Sequence, residues 1–130
     1  MIDRTSIREV FKSLSDSTRL RMTRLLAVNN TEMCVCEFVD ILQERQYNVS
    51  KHLKILQGSG LIRGKKDGRW IYYGLVNGND PVTVILCQLI TSIPDTEEQF
   101  TQDQHRYLER MSLREEGRCR VGIQNTELAI

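Results

Sequence analysis

The chain has 130 residues, of which 40% are hydrophobic and 27% charged, and its formal net charge at pH 7 is +1. This length suits one domain, or one domain with dimerisation arms, and the balanced composition excludes disordered and collagen-like chains. No apolar run approaches the roughly 20 residues needed to cross a bilayer, and the first residues lack the apolar stretch of a signal peptide. We therefore expect a cytoplasmic protein with reduced cysteines. Its four cysteines are Cys34, Cys36, Cys87 and Cys119.

Charge is distributed unevenly along the sequence. Residues 44–75 include seven basic and two acidic side chains, whereas residues 80–116 include three basic and eight acidic ones. The first of these segments is suited to face phosphates and the second is not, which is typical of a modular DNA-binding protein. A solvated charged surface is the alternative interpretation of the basic cluster.

The first half of the sequence predicts four helices. Apolar residues at positions 7, 10, 11 and 14 follow the helical spacing, and Ser15–Thr18 supplies N-cap candidates for a second helix that runs to about Val28. A third helix is predicted to begin near Cys34–Cys36. After a polar turn at residues 43–46, a fourth helix carries apolar residues 49, 53 and 56 on one face and ends at Gly58 and Gly60.

The second half predicts a β-hairpin and two further helices. Asp67-Gly68 is a hairpin signal, and the aromatic and β-branched run 70–73 is typical of the returning strand. After the loop at 77–79, Asp80 and Pro81 are suited to begin a helix that Pro94 ends. A polar helix then spans 96 to about 116, and residues 117–130 are predicted to be a flexible tail. The predicted fold is mainly α with a β-hairpin wing, in the order α-α-α-α-β-β-α-α.

Two short helices joined by a tight turn and followed by a hairpin are typical of a winged helix-turn-helix, whose second helix enters the major groove of double-stranded DNA. That helix needs short hydrogen-bonding groups for base edges and cations for phosphates. The predicted DNA-contacting residues on it are Gln46, Asn48, Ser50, Lys51, His52 and Lys54. The predicted contacts at the hairpin tip are Lys65, Lys66 and Arg69. In the alternative interpretation, His52 only supports the helix, Ser50 only caps or solvates it, and the hairpin is an ordinary exposed turn.

Five segments in order resemble the arsenic-repressor branch of the ArsR/SmtB family. They are FKSLSDSTRL (11–20), EMCVCE (32–37), VSKHLKIL (49–56), SGLI (59–62) and GRWIYY (68–73), and the resemblance covers roughly residues 7–75. It implies a homodimeric winged-helix repressor whose effector weakens its grip on an operator. It also implies one domain over 1–116, with dimerisation helices at about 5–14 and 80–116.

The segment EMCVCE resembles the metal box of the arsenite, antimonite, cadmium and lead sensors of that family. Thiolates favour thiophilic ions, so the resemblance implies As(III) or Sb(III) as inducer, with Cd or Pb possible. Residues i and i+2 do not face each other on a helix, so we expect the helix start to be extended or unwound if Cys34 and Cys36 bind one ion. Val39 stands where many of these sensors have a third cysteine. Cys119 is the preferred candidate to complete the site, from either subunit, with Cys87 the weaker one, and a two-thiol site stays open.

Several alternatives concern the signal or the class of protein. The cysteines could respond to oxidation or persulfidation, and methylated trivalent arsenicals need only two thiols. An enzyme is not expected, because the sequence lacks a glycine-rich phosphate loop and a Cys-x-x-Cys motif. A protein-docking module without DNA binding also fits the fold class. The family's zinc site would fall at Asn77, Asn79, Ile90 and Ile93, which form no convincing ligand set, and Asp103 with His105 is interpreted as a solvated helix face.

Overall fold

The computed structural model describes residues 4–76 and 79–130. The helices and strands are α1 (Arg4–Leu14), α2 (Ser17–Asn29), α3 (Val35–Leu42), α4 (Gln46–Gly58), β1 (Ile62–Asp67), β2 (Trp70–Leu75), α5 (Pro81–Ser92), α6 (Gln99–Met111) and a final 3₁₀ turn (Thr126–Leu128). This order confirms the predicted winged helix-turn-helix, mainly helical with one hairpin. Asn77 and Gly78, which belong to the predicted loop and, for Asn77, to the rejected zinc set, lie outside the described residues. Among the described helices, none is long and apolar enough to span a bilayer.

The predicted caps set two of the helix starts. Asp16 precedes α2 in an extended conformation, and its carboxylate accepts the backbone N–H of Arg19 at 3.0 Å. Asp80 precedes α5 in the same way, accepts the N–H of Thr83 at 3.2 Å, and is followed by Pro81 at the first helical position. Each carboxylate satisfies a backbone donor that the first turn leaves unpaired. The starts of α2 and α5 therefore follow from the local sequence.

The hairpin turns one residue later than the Asp-Gly signal implies. Asp67 pairs with Trp70, so the loop consists of Gly68 and Arg69. Gly68 has φ +65°, the left-handed value that a two-residue hairpin loop needs at its first position. Lys65 and Lys66 consequently lie within β1 rather than at the tip, where the sequence placed them, and only Arg69 of the three lies in the loop.

A short backbone pairing joins β2 to the segment before α3. The N–H of Met33 donates to the carbonyl of Tyr73 at 2.9 Å, and the N–H of Tyr73 donates back at 2.8 Å. Gly74 allows the approach, since a Cβ there would lie 2.8 Å from Cγ of Glu32. The residues that lead into Cys34 are therefore held against the wing strand.

One hydrophobic core unites α2, α3, α4 and β1. Its largest buried side chains include Met22, Leu26, Phe38, Ile41 and Leu53. Each of these helices contributes its apolar face, and the core fixes α3 against α4. A displacement of α3 is therefore transmitted to α4 through packed side chains.

The helix α6 is shorter than predicted, and two of its charged side chains, Asp103 and Arg110, are buried. It begins at Gln99 because the Asp95 carboxylate accepts the N–H groups of Phe100 and Thr101 at 3.1 and 2.8 Å. Asp103 is buried and forms a two-point ion pair with Arg21 of α2, at 2.8 and 2.9 Å. The interpretation of Asp103 as a solvated residue is therefore wrong, although His105 of the same motif is 78% exposed.

The segment after α6 lies on the body of the protein, whereas the sequence predicts a loose tail. Arg110 donates to the carbonyl oxygens of Val121 and Gly122 at 2.9 and 3.3 Å. The N–H of Gln124 donates to Asp40, and Ile123 packs against the core. Backbone carbonyls accept most of these bonds, so no side-chain pattern announces them in the sequence.

Candidate metal centre and nucleic-acid interface

Three cysteine sulfurs meet beneath the wing. Sγ of Cys36 lies 3.2 Å from Sγ of Cys34 and 3.6 Å from Sγ of Cys119, and all three sulfurs lie within 4.8 Å of one another. All three residues are buried, and none of them forms a disulfide bond. We call them the thiol cluster. The structure thus brings together the preferred ligand set from one chain, while Cys87 lies apart from it on α5.

Local backbone geometry explains how residues two apart can share a site. Cys34 is the N-cap of α3, with φ −93° and ψ 166°, and Cys36 lies in the first helical turn. Because Cys34 is extended and outside the helix, its side chain can turn back onto that of Cys36. Of the two alternatives that we expected, an extended or an unwound helix start, the structure has the first, because Cys34 is an extended N-cap that precedes α3.

A buried carboxylate holds this helix start in place. Glu37 is fully buried, and its Oε1 accepts the backbone N–H of Cys34 at 3.1 Å and the Cys34 thiol at 3.2 Å. Arg114, which follows α6, donates to both oxygens of Glu37, at 2.7 and 2.8 Å. Burial opposes ionisation of Glu37, but the bonds from Arg114 and Cys34 outweigh it and lower the pKa of the carboxyl. Since Arg114 occupies both oxygens, the donors that remain for an ion are the three sulfurs.

The three thiols differ in acidity. The hydrogen bond from Cys34 lowers the pKa of Cys36 to about 7, against the effect of burial, and Cys119 and the positive charge of Arg110 add to this. The same bond raises the pKa of Cys34, and burial raises that of Cys119. Nη1 of Arg110 is buried and has no hydrogen-bond partner among the described residues. Cys36 is therefore the thiolate that is present near neutral pH and can attack a soft electrophile first.

The wing strand closes one side of the cluster. The N–H of Cys119 donates to the hydroxyl of Tyr72 at 3.0 Å, and Tyr72 is itself buried. Sequence reasoning singled out neither Tyr72 nor the buried charges Glu37, Arg110 and Arg114. The four-residue spacing of Arg110 and Arg114 within the helix predicted over 96 to about 116 was the available signal, although Arg114 lies just beyond the end of α6.

The predicted DNA-contacting residues of α4 divide into two groups. Ser50, Lys51 and Lys54 are exposed, and Gln46 and Asn48 are half-buried at the start of the helix. These five side chains lie off the buried stripe of Val49, Leu53 and Leu56. The exposed face of α4 therefore carries the small polar groups and cations that groove binding needs.

His52 is turned toward the protein. Its Nδ1 accepts from Nη1 of Arg19 at 3.1 Å and lies 3.9 Å from the Asp16 carboxylate. Burial lowers the pKa of the imidazole, so His52 is neutral at pH 7 with its proton on Nε2. These contacts tie α4 to the start of α2 and favour the supporting role over base reading.

The three predicted DNA-contacting residues of the wing are exposed to solvent. Lys65, Lys66 and Arg69 are exposed, and the guanidinium of Arg69 lies 4.7 Å from the ring centre of Trp70. Lys65 and Lys66 pair across the hairpin with Tyr72 and Ile71, so they point to opposite faces of the ribbon.

Comparison with known proteins decides the family. The pattern of the bacterial regulatory proteins of the arsR family matches residues 16–63, which contain α2, α3, α4 and the first residues of β1. An HTH-type transcriptional regulator of Methanocaldococcus jannaschii, MJ1325, is 42% identical over 69 residues, covering 53% of this chain and 76% of that protein. The chain belongs to the ArsR family of bacterial regulatory proteins. The resemblance inferred from the sequence is confirmed.

Other relatives of this ArsR-family chain are named for arsenic or cadmium resistance. The arsenic resistance transcriptional regulator ArsR2 of Pseudomonas putida is 45% identical over 52% of this chain. The cadmium resistance protein CadC homolog of Staphylococcus aureus is 35% identical over 53% of it. The matches span 57% and 56% of the length of these two relatives. These relatives are transcriptional regulators, which confirms the prediction that the chain is not an enzyme.

Solved structures agree on the fold. The homodimeric winged helix-turn-helix domain of Mb0332 from Mycobacterium bovis has a TM-score of 0.59 at 22% identity, covering 72% of this chain and 82% of that one. The regulator HlyU of Vibrio vulnificus has a TM-score of 0.57 at 26% identity, covering 68% and 86%. The helices and wing described above are thus the common architecture of these regulators.

Proposed function

We propose that this ArsR-family protein is a homodimeric repressor that binds double-stranded operator DNA through α4 and the wing, and that it dissociates when trivalent arsenic or antimony binds Cys34, Cys36 and Cys119. The observation that carries the proposal is the buried group of three sulfurs within 4.8 Å. Soft thiolates select soft ions, and a buried set of three sulfurs suits an ion that forms three bonds. The arsenic- and cadmium-resistance names of the relatives agree with such a ligand.

The chemistry of capture is a ligand exchange without redox change. Arsenous acid, As(OH)₃, would exchange its three hydroxyl groups for the sulfurs of Cys34, Cys36 and Cys119. The hydroxyl groups leave as three waters, two with the thiol protons of Cys34 and Cys119 and one with a proton from solvent. Cys36, whose pKa is about 7, forms the first bond as a thiolate. Arg110 stabilises that thiolate, and Glu37 holds the backbone of Cys34 at the site.

Binding of the ion at the thiol cluster can affect the DNA-binding helix α4 through α3. Cys36 lies in the first turn of α3, and Phe38 and Ile41 of the same helix belong to the core that also contains Leu53 of α4. A shift at the start of α3 therefore displaces the packing beneath the recognition helix. We propose that α4 then no longer fits the major groove, and that the DNA is released.

Exposed apolar side chains support the dimer. Ile85 and Leu89 of α5 are 62% and 59% exposed, Val84 lies beside them, and Phe11 of α1 is 56% exposed. Several exposed apolar side chains grouped on one helix, as on α5, are typical of an interaction site, whereas single exposed apolar residues are common on any protein surface. These residues fall in the two segments, about 5–14 and 80–116, that we assign to dimerisation within a domain of residues 1–116.

The test of the proposal is titration of the protein–operator complex under reducing conditions. Fluorescence anisotropy of labelled promoter DNA should fall as arsenite or antimonite is added at one equivalent per chain, and zinc should have no effect. If only cadmium or lead released the DNA, the inducer would be a soft cation and not a metalloid. DNA that stays bound with every one of these ions would refute the repressor mechanism.

A second candidate signal is oxidation, because Cys34 and Cys36 are already in contact at 3.2 Å. An oxidant or polysulfide would then join two sulfurs and release DNA without an ion. The burial of all three sulfurs hinders access by such reagents, which is why we place this candidate second. Release by peroxide or polysulfide in the absence of any metal ion would favour it.

Removing the exposed lysines of α4 should weaken DNA binding without changing sequence preference. In Lys51→Gln/Lys54→Gln, two exposed cations are lost. The slope of log K against log salt concentration should become shallower by about two for each subunit, or about four for the proposed homodimer, because each phosphate contact contributes a slope of about one. Affinity at 50–200 mM salt measures this, with Arg106→Gln on α6 as the control that keeps the slope. An unchanged slope in the double variant would place the DNA elsewhere.

A further inference from the structure

We propose that the wing strand β2 senses the occupancy of the thiol cluster, and that Tyr72 is the positioning residue that transmits it. The inference rests on the proposed function and adds a route to DNA beside the one through α3. In this account, an ion at the cluster changes the position of the wing as well as that of α4. Three sets of contacts carry the inference.

The first contact is the hydrogen bond between ligand and strand. The backbone N–H of Cys119 donates to the hydroxyl of Tyr72 at 3.0 Å, and Tyr72 is only 3% exposed. Tyr72 packs directly with Cys34, Cys36 and Cys119 in one buried group. A buried hydrogen bond of this kind cannot be exchanged for water at no cost, so displacement of Cys119 acts on Tyr72.

The second contact holds the other end of the cluster to the next residue of the same strand. Met33, which precedes Cys34, exchanges two backbone hydrogen bonds with Tyr73 at 2.8 and 2.9 Å. The close approach of Gly74 to Glu32 continues this contact by one residue. The cluster is therefore anchored to β2 twice, at the adjacent residues Tyr72 and Tyr73.

The third set of contacts joins the segment around Cys119 to the DNA-facing hairpin. Arg118 forms an ion pair with Asp67 at the end of β1, and its guanidinium lies 4.9 Å from the ring centre of Tyr72. Lys65, a predicted phosphate contact, is the cross-strand partner of Tyr72. The face of the hairpin that contacts the segment around Cys119 thus also carries Lys65, a cation that we predict to contact DNA.

Binding an ion must change the hydrogen bonds of the thiol cluster. Three sulfurs that each lie about 2.3 Å from one soft ion are roughly 3.3–4.0 Å apart for bond angles of about 90–120°. The separation of Cys36 and Cys119, 3.6 Å, already lies in this range, and that of Cys34 and Cys36, 3.2 Å, lies just below it. The thiol protons leave on binding, so the bonds that Cys34 donates to Glu37 and that Cys119 donates to the carbonyl of Val121 are lost. Cys119 lies outside any helix or strand and its N–H is bonded to the hydroxyl of Tyr72, so the change at Cys119 acts directly on β2.

The experiment compares Tyr72→Phe with Tyr73→Phe, the same chemical change one residue along the strand. For each protein, the operator Kd is measured with and without one equivalent of arsenite, and the ratio of the two is the release factor. Tyr72→Phe should bind unloaded DNA as the wild type does and should still bind one arsenic per chain, but its release factor should fall about three- to tenfold, the value of one buried hydrogen bond. Tyr73→Phe should keep the wild-type release factor.

A measurement without DNA completes the test. Hydrogen exchange of β2 amides should change on arsenite loading in the wild type and change less in Tyr72→Phe. A wild-type release factor in Tyr72→Phe, or loading that alters exchange in α4 and not in β2, would overturn the role of the wing while leaving the proposed function intact. Failure of the wild type to release DNA with arsenite would overturn both.

Discussion

Replacing Cys36 by serine should abolish arsenite-driven release from the operator while leaving the unloaded protein's DNA affinity unchanged. Cys36 contacts both of the other sulfurs, at 3.2 and 3.6 Å, and it is the most acidic thiol of the cluster. A serine oxygen of similar size fills the space but is a poor ligand for a soft ion. We expect arsenite affinity to fall by more than about 100-fold, since even outer-shell partners of a site contribute about 10–100-fold.

Operator binding with and without arsenite measures this effect, and isothermal titration gives the arsenite affinity directly. Cys87→Ser is the matched control, because Cys87 lies apart from the thiol cluster and should release DNA as the wild type does. Cys119→Ser leaves two thiols and should have an intermediate effect. Wild-type release in Cys36→Ser would remove the cluster from the mechanism.

Replacing Arg114 by methionine should strongly destabilise the fold. Glu37 is fully buried, and Arg114 donates to both of its oxygens. The variant leaves a buried carboxylate without its countercharge, so we expect the free energy of unfolding to fall by about 3–5 kcal/mol. Urea unfolding at pH 7 measures the loss. Arg120→Met, which removes an exposed pair with Glu115, is the control and should cost less than about 1 kcal/mol.

The pH dependence of this loss has a definite sign. The pKa of Glu37 is below its ordinary value of 4.5 in the folded protein, so the unfolded chain binds its proton more readily. The stabilisation by ionised Glu37 is therefore present above about pH 4.5 and is lost as the pH falls through the folded pKa. The difference between wild type and Arg114→Met should be largest near neutral pH and shrink in acid. A difference as small as that of Arg120→Met at pH 7 would contradict the account.

Much of the fold was predictable because it rests on local rules. The caps Asp16 and Asp80, the stop at Gly58 and the aromatic and β-branched run 70–73 are short-range features, and each element that they predict is present. The position of the hairpin loop was missed by one residue, since Asp67-Gly68 and Gly68-Arg69 both satisfy the requirement for a left-handed residue at a turn.

The grouping of the three cysteines was predictable, whereas the residues around them were not. The lack of a cysteine at Val39 made Cys119 the preferred candidate for a third sulfur, with a two-thiol site left open, and the structure brings Cys119 to Cys34 and Cys36. What holds Cys119 in place is Arg110 bonded to backbone carbonyls of residues 121 and 122 and the hydroxyl of Tyr72. Such contacts depend on how remote segments pack, and a single sequence carries no periodic signal for them.

The central claim is that three sulfurs of one chain bind one soft ion. Arsenic K-edge X-ray absorption on the reduced protein, loaded with one equivalent of arsenite per chain, tests it most directly. The account predicts three sulfur neighbours and no oxygen around arsenic in the wild type, and two sulfurs with one oxygen in Cys119→Ser. Fewer than three sulfurs in the wild type, or an unchanged spectrum in Cys119→Ser, would contradict it.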